Sequence, residues 1–97
     1  MGKLSEKEIL SRLSGLDGWD AVDAKLYKEY KFKDFRQAFE FMTKLSATIN
    51  KLDHHPDWSN SYNTVRISLS SHSAGGITDL DFKLAKAAEQ LAQHYSA

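Results

Sequence analysis

Hydrophobic positions along the chain switch between a period near 3.6 and a period of two, and the switches mark element boundaries. Ser5-Glu6-Lys7-Glu8 has the spacing of a capping box, in which Ser5 and Glu8 satisfy each other's backbone amides. Leu4 and Ile9 stand at the staple positions. Ile9, Leu10, Leu13 and Leu16 form the apolar stripe of a first helix, which Gly15 and Gly18 are expected to end. Residues 19–22 and 25–32 read as a hairpin around Asp23-Ala24. In its second arm Leu26, Tyr30 and Phe32 alternate with charged residues, the pattern of a half-buried strand.

Asp34-Phe35-Arg36-Gln37 resembles another capping box. Phe35, Ala38, Phe39, Met42, Leu45, Ile49 and Leu52 follow at spacings of three and four, and Arg36, Glu40, Lys44, Thr48 and Lys51 supply the wet face. Beyond this second helix the period becomes two. A strand-like stretch over 58–62 leads through an Asn63-Thr64 turn into Val65, Ile67 and Leu69, which alternate with Arg66, Ser68 and Ser70. After His72, the stretch 73–76 is a loop. Thr78-Asp79-Leu80-Asp81 caps a last helix with Ile77 and Phe82 as staple residues, and Leu84, Ala85, Ala88, Leu91, Ala92 and Tyr95 as its stripe. The predicted order is α-β-β-α-β-β-α. Residues 1–97 thus read as one α+β domain, a four-stranded antiparallel sheet with three helices packed on it.

Composition narrows the chemistry. Ninety-seven residues, 41% hydrophobic and 27% charged, suit one globular core. Thirteen basic residues balance thirteen acidic ones, so the basic excess of a generic nucleic-acid or acidic-membrane binder is absent. The lack of cysteine excludes disulfides, thiolate catalysis and cysteine-based zinc sites. No apolar run approaches the ~20 residues of a membrane span. The opening residues lack the apolar stretch of a secretory signal, and Glu6 breaks the myristoylation pattern. The cytoplasm is the expected location, with the nucleus open to a chain this small.

Neutral-pH proton chemistry is left to His54, His55, His72 and His94, the carboxylates and the tyrosines. An Asn63-Thr64 turn would pair Tyr62 with Val65 and Trp58 with Leu69, and extension to the open end sets His55 opposite His72. Pro56 has a fixed φ and pushes His55 toward an extended conformation, stiffening the histidine pair. Trp58 adds a flat apolar wall. Asp81 lies on the apolar side of the last helix, where it can act as a cap carboxylate, orient an imidazole, or do both. His94 falls in the last helical turn, where a cation is mildly stabilising. Adjacent histidines diverge by about 100° on a helix and point apart on a strand, and no HxH or HxxxH pattern occurs, so no metal site is expected.

The run His54-His55-Pro56-Asp57-Trp58, followed by Tyr62, Val65, Ile67, Leu69, His72 and Asp81, resembles the signature of the pterin-4a-carbinolamine dehydratases. Upstream, 30–35 and 38–42 are similar to that family's strand-to-long-helix segment, and Gly18-Trp19 to its early strand. The resemblance implies dehydration of 4a-hydroxytetrahydrobiopterin to quinonoid dihydrobiopterin, which recycles the cofactor of aromatic amino acid hydroxylases. It implies a pterin site lined by His54, His55 and His72, with Asp53, Pro56, Trp58, Ser70, Ser71 and Ser73 in its substrate-contacting stretches. Asp81 matches a supporting carboxylate. Asn50 stands where many members carry a glutamate, so a carboxylate role does not transfer to this position, and an amide hydrogen bond is the substitute open to it. On this reading His54 and His72 transfer protons, His55 orients the pterin, and no metal or redox cofactor is needed. The resemblance also implies a homodimer or homotetramer. The alternative function is an interaction module, since vertebrate members bind the helical dimerisation region of a homeodomain transcription factor as coactivators.

Overall fold

Side-chain caps set the start of each of the three α-helices in the computed structural model, which describes residues 2–95. Ser5 and Glu8 close a reciprocal capping box at α1 (Glu6–Leu13). At α2 (Phe35–Leu52) the Asp34 side chain accepts from the Gln37 amide at 2.9 Å, whereas the Gln37 side chain accepts from Lys33, one residue outside the cap. Thr78 and Asp81 form the box that opens α3 (Asp79–Ala92). Helix α1 ends at Leu13 with Ser14 as its C-cap, and Gly18 rather than Gly15 takes the left-handed φ.

Strands β1 (Asp20–Val22), β2 (Lys25–Lys31), β3 (Asp57–Ser61) and β4 (Thr64–Leu69) form one antiparallel sheet in the order β1-β2-β4-β3. The predicted α-β-β-α-β-β-α order and fold class hold. Asp23 and Ala24 both take positive φ, the requirement of a two-residue turn whose twist matches the flanking strands.

Two local expectations are corrected. The β3–β4 turn is Tyr62-Asn63, so Ser61 pairs with Thr64 and Trp58 with Ile67, not Leu69. β-branched Thr64 stays in the strand, Tyr62 takes φ 50°, and the Asn60 side chain donates to the Tyr62 and Thr64 carbonyls at 3.1 and 2.9 Å. The shift removes the expected pairing of His55 with His72. The strand begins only at Asp57, opposite Ser68, and Ser71 pairs with Gly76 in an isolated bridge.

The second correction concerns α2. Ala38, Phe41, Leu45 and Ile49 form its buried face, while Phe35 and Phe39 are 48% and 56% exposed. At ~100° per residue these two rings sit roughly 60° and 100° around the helix from Ala38, off the sheet-facing side. They stack on each other with centroids 5.6 Å apart. Phe41, absent from the expected stripe, is fully buried against Tyr30 and Phe32. Leu10 is likewise exposed on α1.

Helices α2 and α3 pack with the sheet into one core, where Leu84, Ala85 and Ala88 join Leu26, Val65, Ile67 and Leu69. Among the described residues no helix is long and apolar enough to cross a membrane. The other sheet face is polar, with Arg66 Nε 3.0 Å from Glu29 across the β2–β4 pair. One inward-facing β2 residue is charged. Lys28 donates to Glu89 of α3 and, at 2.7 Å, to the Asp17 carbonyl. The same Glu89 oxygen accepts from Tyr30 Oη at 2.5 Å and from Trp19 Nε1 at 3.2 Å.

Burial, then the adjacent Glu89 carboxylate, raises the Tyr30 phenol far above its usual range. Partial burial works to raise Glu89 itself, but hydrogen bonds from Lys28 and Tyr30 outweigh it and hold its carboxyl below the usual glutamate range. A depressed carboxyl stabilises the fold above its unfolded pKa, and that contribution is lost as pH falls through the folded one. Glu89→Gln is therefore expected to lower stability by about 1–2 kcal/mol at neutral pH and to flatten the loss between about pH 5 and 3. Urea denaturation across that range checks it; parallel acid limbs for the two proteins would contradict the assignment.

Candidate active site

Left-handed backbone at a single residue turns the chain toward the site. Asp53, the α2 C-cap, takes φ 49° and ψ 44°, and its N–H donates to the Asn50 and Ile49 carbonyls. Asp tolerates this conformation better than most side chains, because its short polar group can bond locally. The chain leaves the helix with His54 half-buried and His55 exposed. His54 Nε2 lies 2.5 Å from Asp81 Oδ1. The imidazole keeps 12% of its side-chain surface exposed, and the Asp81 carboxylate keeps none.

A carboxylate without solvent needs donors in its place. Asp81 Oδ2 accepts from the Thr78 amide at 2.9 Å, completing the α3 capping box, and from Ser71 Oγ at 3.0 Å. Thr78 Oγ1 lies 2.8 Å from Ser71 Oγ and accepts from the Leu80 amide at 3.3 Å. Asp81 is thus a cap and the partner of an imidazole at once. Among the described residues, no buried side-chain nitrogen or oxygen lacks a partner.

The remaining sequence-derived residues divide around this network. His72 opens a short 3-10 turn over His72–Ala74 that Gly75, at φ 73°, reverses; both His72 and Ser73 are exposed. Ser70, Ser71 and His72 border a shallow cavity of about 190 Å³ with Asp23, Lys25 and Gly75, and no residue of the 53–58 segment lines it. Pro56 is half-buried, and Trp58 packs against the core from β3. Asn50 and Asp53 are exposed at the end of α2. The structure therefore joins His54, Asp81 and Ser71 by hydrogen bonds and places His72 next along the chain from Ser71. Among the described residues, no hydrogen bond joins His55 or His72 to Asp81. Among the described residues no three His, Asp or Glu side chains group closely enough to hold a metal ion.

Sequence reasoning missed Thr78 as part of the network. It marked Thr78 only as a cap, although a buried cap hydroxyl beside an inward carboxylate was a readable signal. His94 lies beyond α3, exposed in a turn where its N–H donates to the Leu91 carbonyl at 3.1 Å, rather than in the last helical turn.

Residues 2–91 match the family described as pterin 4 alpha carbinolamine dehydratase. A relative from Solibacter usitatus (strain Ellin6076) is 49% identical over 90 residues, covering 93% of this chain and 95% of its own. Another, from Chelativorans sp. (strain BNC1), is 46% identical over 86 residues, covering 87% and 88%. The names of both assign them, provisionally, as pterin-4-alpha-carbinolamine dehydratases. The crystal structure of a transcriptional coactivator/pterin dehydratase from Brucella melitensis superposes with a TM-score of 0.92 at 43% identity, covering 94% of this chain and 99% of that one. A pterin dehydratase-like RuBisCO assembly factor of the alpha-carboxysome shares the fold, with a TM-score of 0.63 at 21% identity over 76% of this chain and 86% of its own.

Because Asp81 serves a cap, a hydroxyl and an imidazole together, its truncation should be costly. Asp81→Ala is expected to lower stability by about 3 kcal/mol, through the lost cap and the stranded Ser71 hydroxyl. Chemical denaturation measures it, and a cost near that of an ordinary surface cap would show that the network does not stabilise the fold.

Proposed function

The chain belongs to the pterin 4 alpha carbinolamine dehydratase family, and from that membership we propose that it dehydrates 4a-hydroxytetrahydrobiopterin to quinonoid dihydrobiopterin by histidine general acid–base catalysis. The observation that carries the reading is the His54 imidazole held at 2.5 Å by a fully buried carboxylate. The reaction needs one proton delivered to the 4a-hydroxyl, which leaves as water when the C4a–O bond breaks. One proton leaves N5, and its electron pair forms the C4a–N5 double bond. No net proton is consumed, so one imidazolium and one imidazole suffice. In this scheme His54 and His72 transfer the protons and His55 orients the pterin. Asp53, Pro56, Trp58, Ser70 and Ser73 border the substrate, and Asn50 offers its amide at the end of α2. Such activity recycles tetrahydrobiopterin for aromatic amino acid hydroxylases in the cytoplasm.

A second reading, an interaction module, draws on a separate observation. Phe35 and Phe39 form an exposed aromatic stack on α2, on a helix whose other face is already buried. That stack suits association with another helix, from a second copy of this chain in a homodimer or homotetramer or from a helical protein partner of the kind a coactivator binds.

Stopped-flow dehydration of synthetic 4a-hydroxytetrahydropterin tests the first reading. Wild-type protein should accelerate the reaction equally with and without a chelator, and His54→Ala and His72→Ala should each lose about 10²-fold or more in kcat. Rates near wild type in both variants would defeat the histidine mechanism. For the second reading, sedimentation of Phe35→Ser/Phe39→Ser should give a lower mass than wild type with dehydration unchanged. Identical masses would show that the stack is not an assembly surface.

A further inference from the structure

We infer that Ser71 and Thr78 are positioning residues, whose hydroxyl relay holds Asp81 so that His54 keeps its proton on Nε2 and exchanges protons with substrate through Nδ1. The link to rate rests on the dehydratase reading, whereas the choice of tautomer stands on geometry alone.

An ionised carboxylate only accepts hydrogen bonds, so the imidazole nitrogen 2.5 Å from Asp81 Oδ1 is the donor. Neutral His54 therefore carries its hydrogen on Nε2 and its lone pair on Nδ1. Among the described residues no side chain or backbone group bonds to Nδ1, and no buried side-chain nitrogen lacks a partner; Nδ1 is consequently reachable from solvent. When neutral it takes a proton at that atom, and as imidazolium it gives one from the same atom.

Everything that fixes this choice lies behind Asp81. The carboxylate would lose its grip on Nε2 if it could rotate about its own axis. Its second oxygen is held by two donors from different segments, the Thr78 amide at 2.9 Å and the Ser71 hydroxyl at 3.0 Å. Ser71 has one hydroxyl hydrogen, and Asp81 accepts it. Thr78 Oγ1 must then be the donor in its 2.8 Å contact with Ser71. The relay thus runs in one direction, from Thr78 to Ser71 to Asp81 to His54. Thr78 is 1% exposed and Ser71 7%, so water does not compete for these groups. The α3 N-terminus also favours the negative charge. Ser71 immediately precedes His72, and its N–H donates to the Gly76 carbonyl at 2.8 Å, closing the loop that carries the second histidine. One hydroxyl therefore registers both proton-transfer residues against a single carboxylate.

Long-range 15N–1H correlation of the imidazoles in the full chain at neutral pH reads the tautomer directly. Wild-type His54 is expected as the Nε2–H form. Ser71→Ala should shift the population toward Nδ1–H and lower kcat about tenfold, with KM within about twofold. Thr78→Ser keeps the hydroxyl and should restore both readouts, whereas Thr78→Val, which retains the capping amide and the side-chain shape, should follow Ser71→Ala. An Nδ1–H tautomer in the wild type overturns the assignment whatever the variants do. So does a folded Ser71→Ala or Thr78→Val protein with unchanged tautomer and kcat. Absence of dehydration by wild type would instead refute the proposed function and leave the tautomer result standing.

Discussion

A carboxylate can leave water only if protein donors replace the water molecules it gives up. Asp81 lies under that constraint, and much of the site follows from how it is met. Its donors come from three places: the end of α2, the end of β4 and the cap of α3. Stabilising this one anion therefore fixes how three elements meet. The helix cap is at the same time the partner of an imidazole, because the two oxygens of one side chain divide the tasks.

A second carboxylate braces the same helix further along. Glu89 gathers Lys28, Tyr30 and Trp19 onto a single oxygen, tying α3 to β2 and to the segment that enters β1. Between the two carboxylates, Leu84, Ala85 and Ala88 fill the core. α3 is thus held by charge-assisted hydrogen bonds toward both ends and by apolar packing between them. The polar outer sheet face and the aromatic stack on α2 carry no comparable constraint.

The sequence was most legible where one residue's chemistry decides local structure. Ser5 with Glu8, and Thr78 with Asp81, announced helix starts that the structure contains, and the period-two run at Val65, Ile67 and Leu69 announced β4. Legibility failed where the outcome depended on competing tertiary contacts. Phe35 and Phe39 satisfied the helical period as well as Phe41 did, yet only the orientation of α2 on the sheet chose Phe41 for burial. Tyr62 is an unpromising residue for positive φ, and the turn settled there because Asn60 and Thr64 were better used in the strands. At the site, His54 and Asp81 were both visible as candidates. Their contact, and the hydroxyls behind it, required knowing that α3 starts beside the end of α2, which no local pattern encodes.

The contact between His54 and Asp81 spans 27 residues of chain, with both strands of the β3–β4 hairpin between them. Both histidines assigned to proton transfer precede the carboxylate during synthesis, so a partly made chain holds the imidazoles without the group that aligns them. Closing a loop of this kind costs more chain entropy than forming a local helix or hairpin. On the proposed mechanism, acid–base competence accordingly depends on the long-range contact that forms when α3 is seated. A chain in which α3 is not yet seated holds both imidazoles without the carboxylate that aligns one of them.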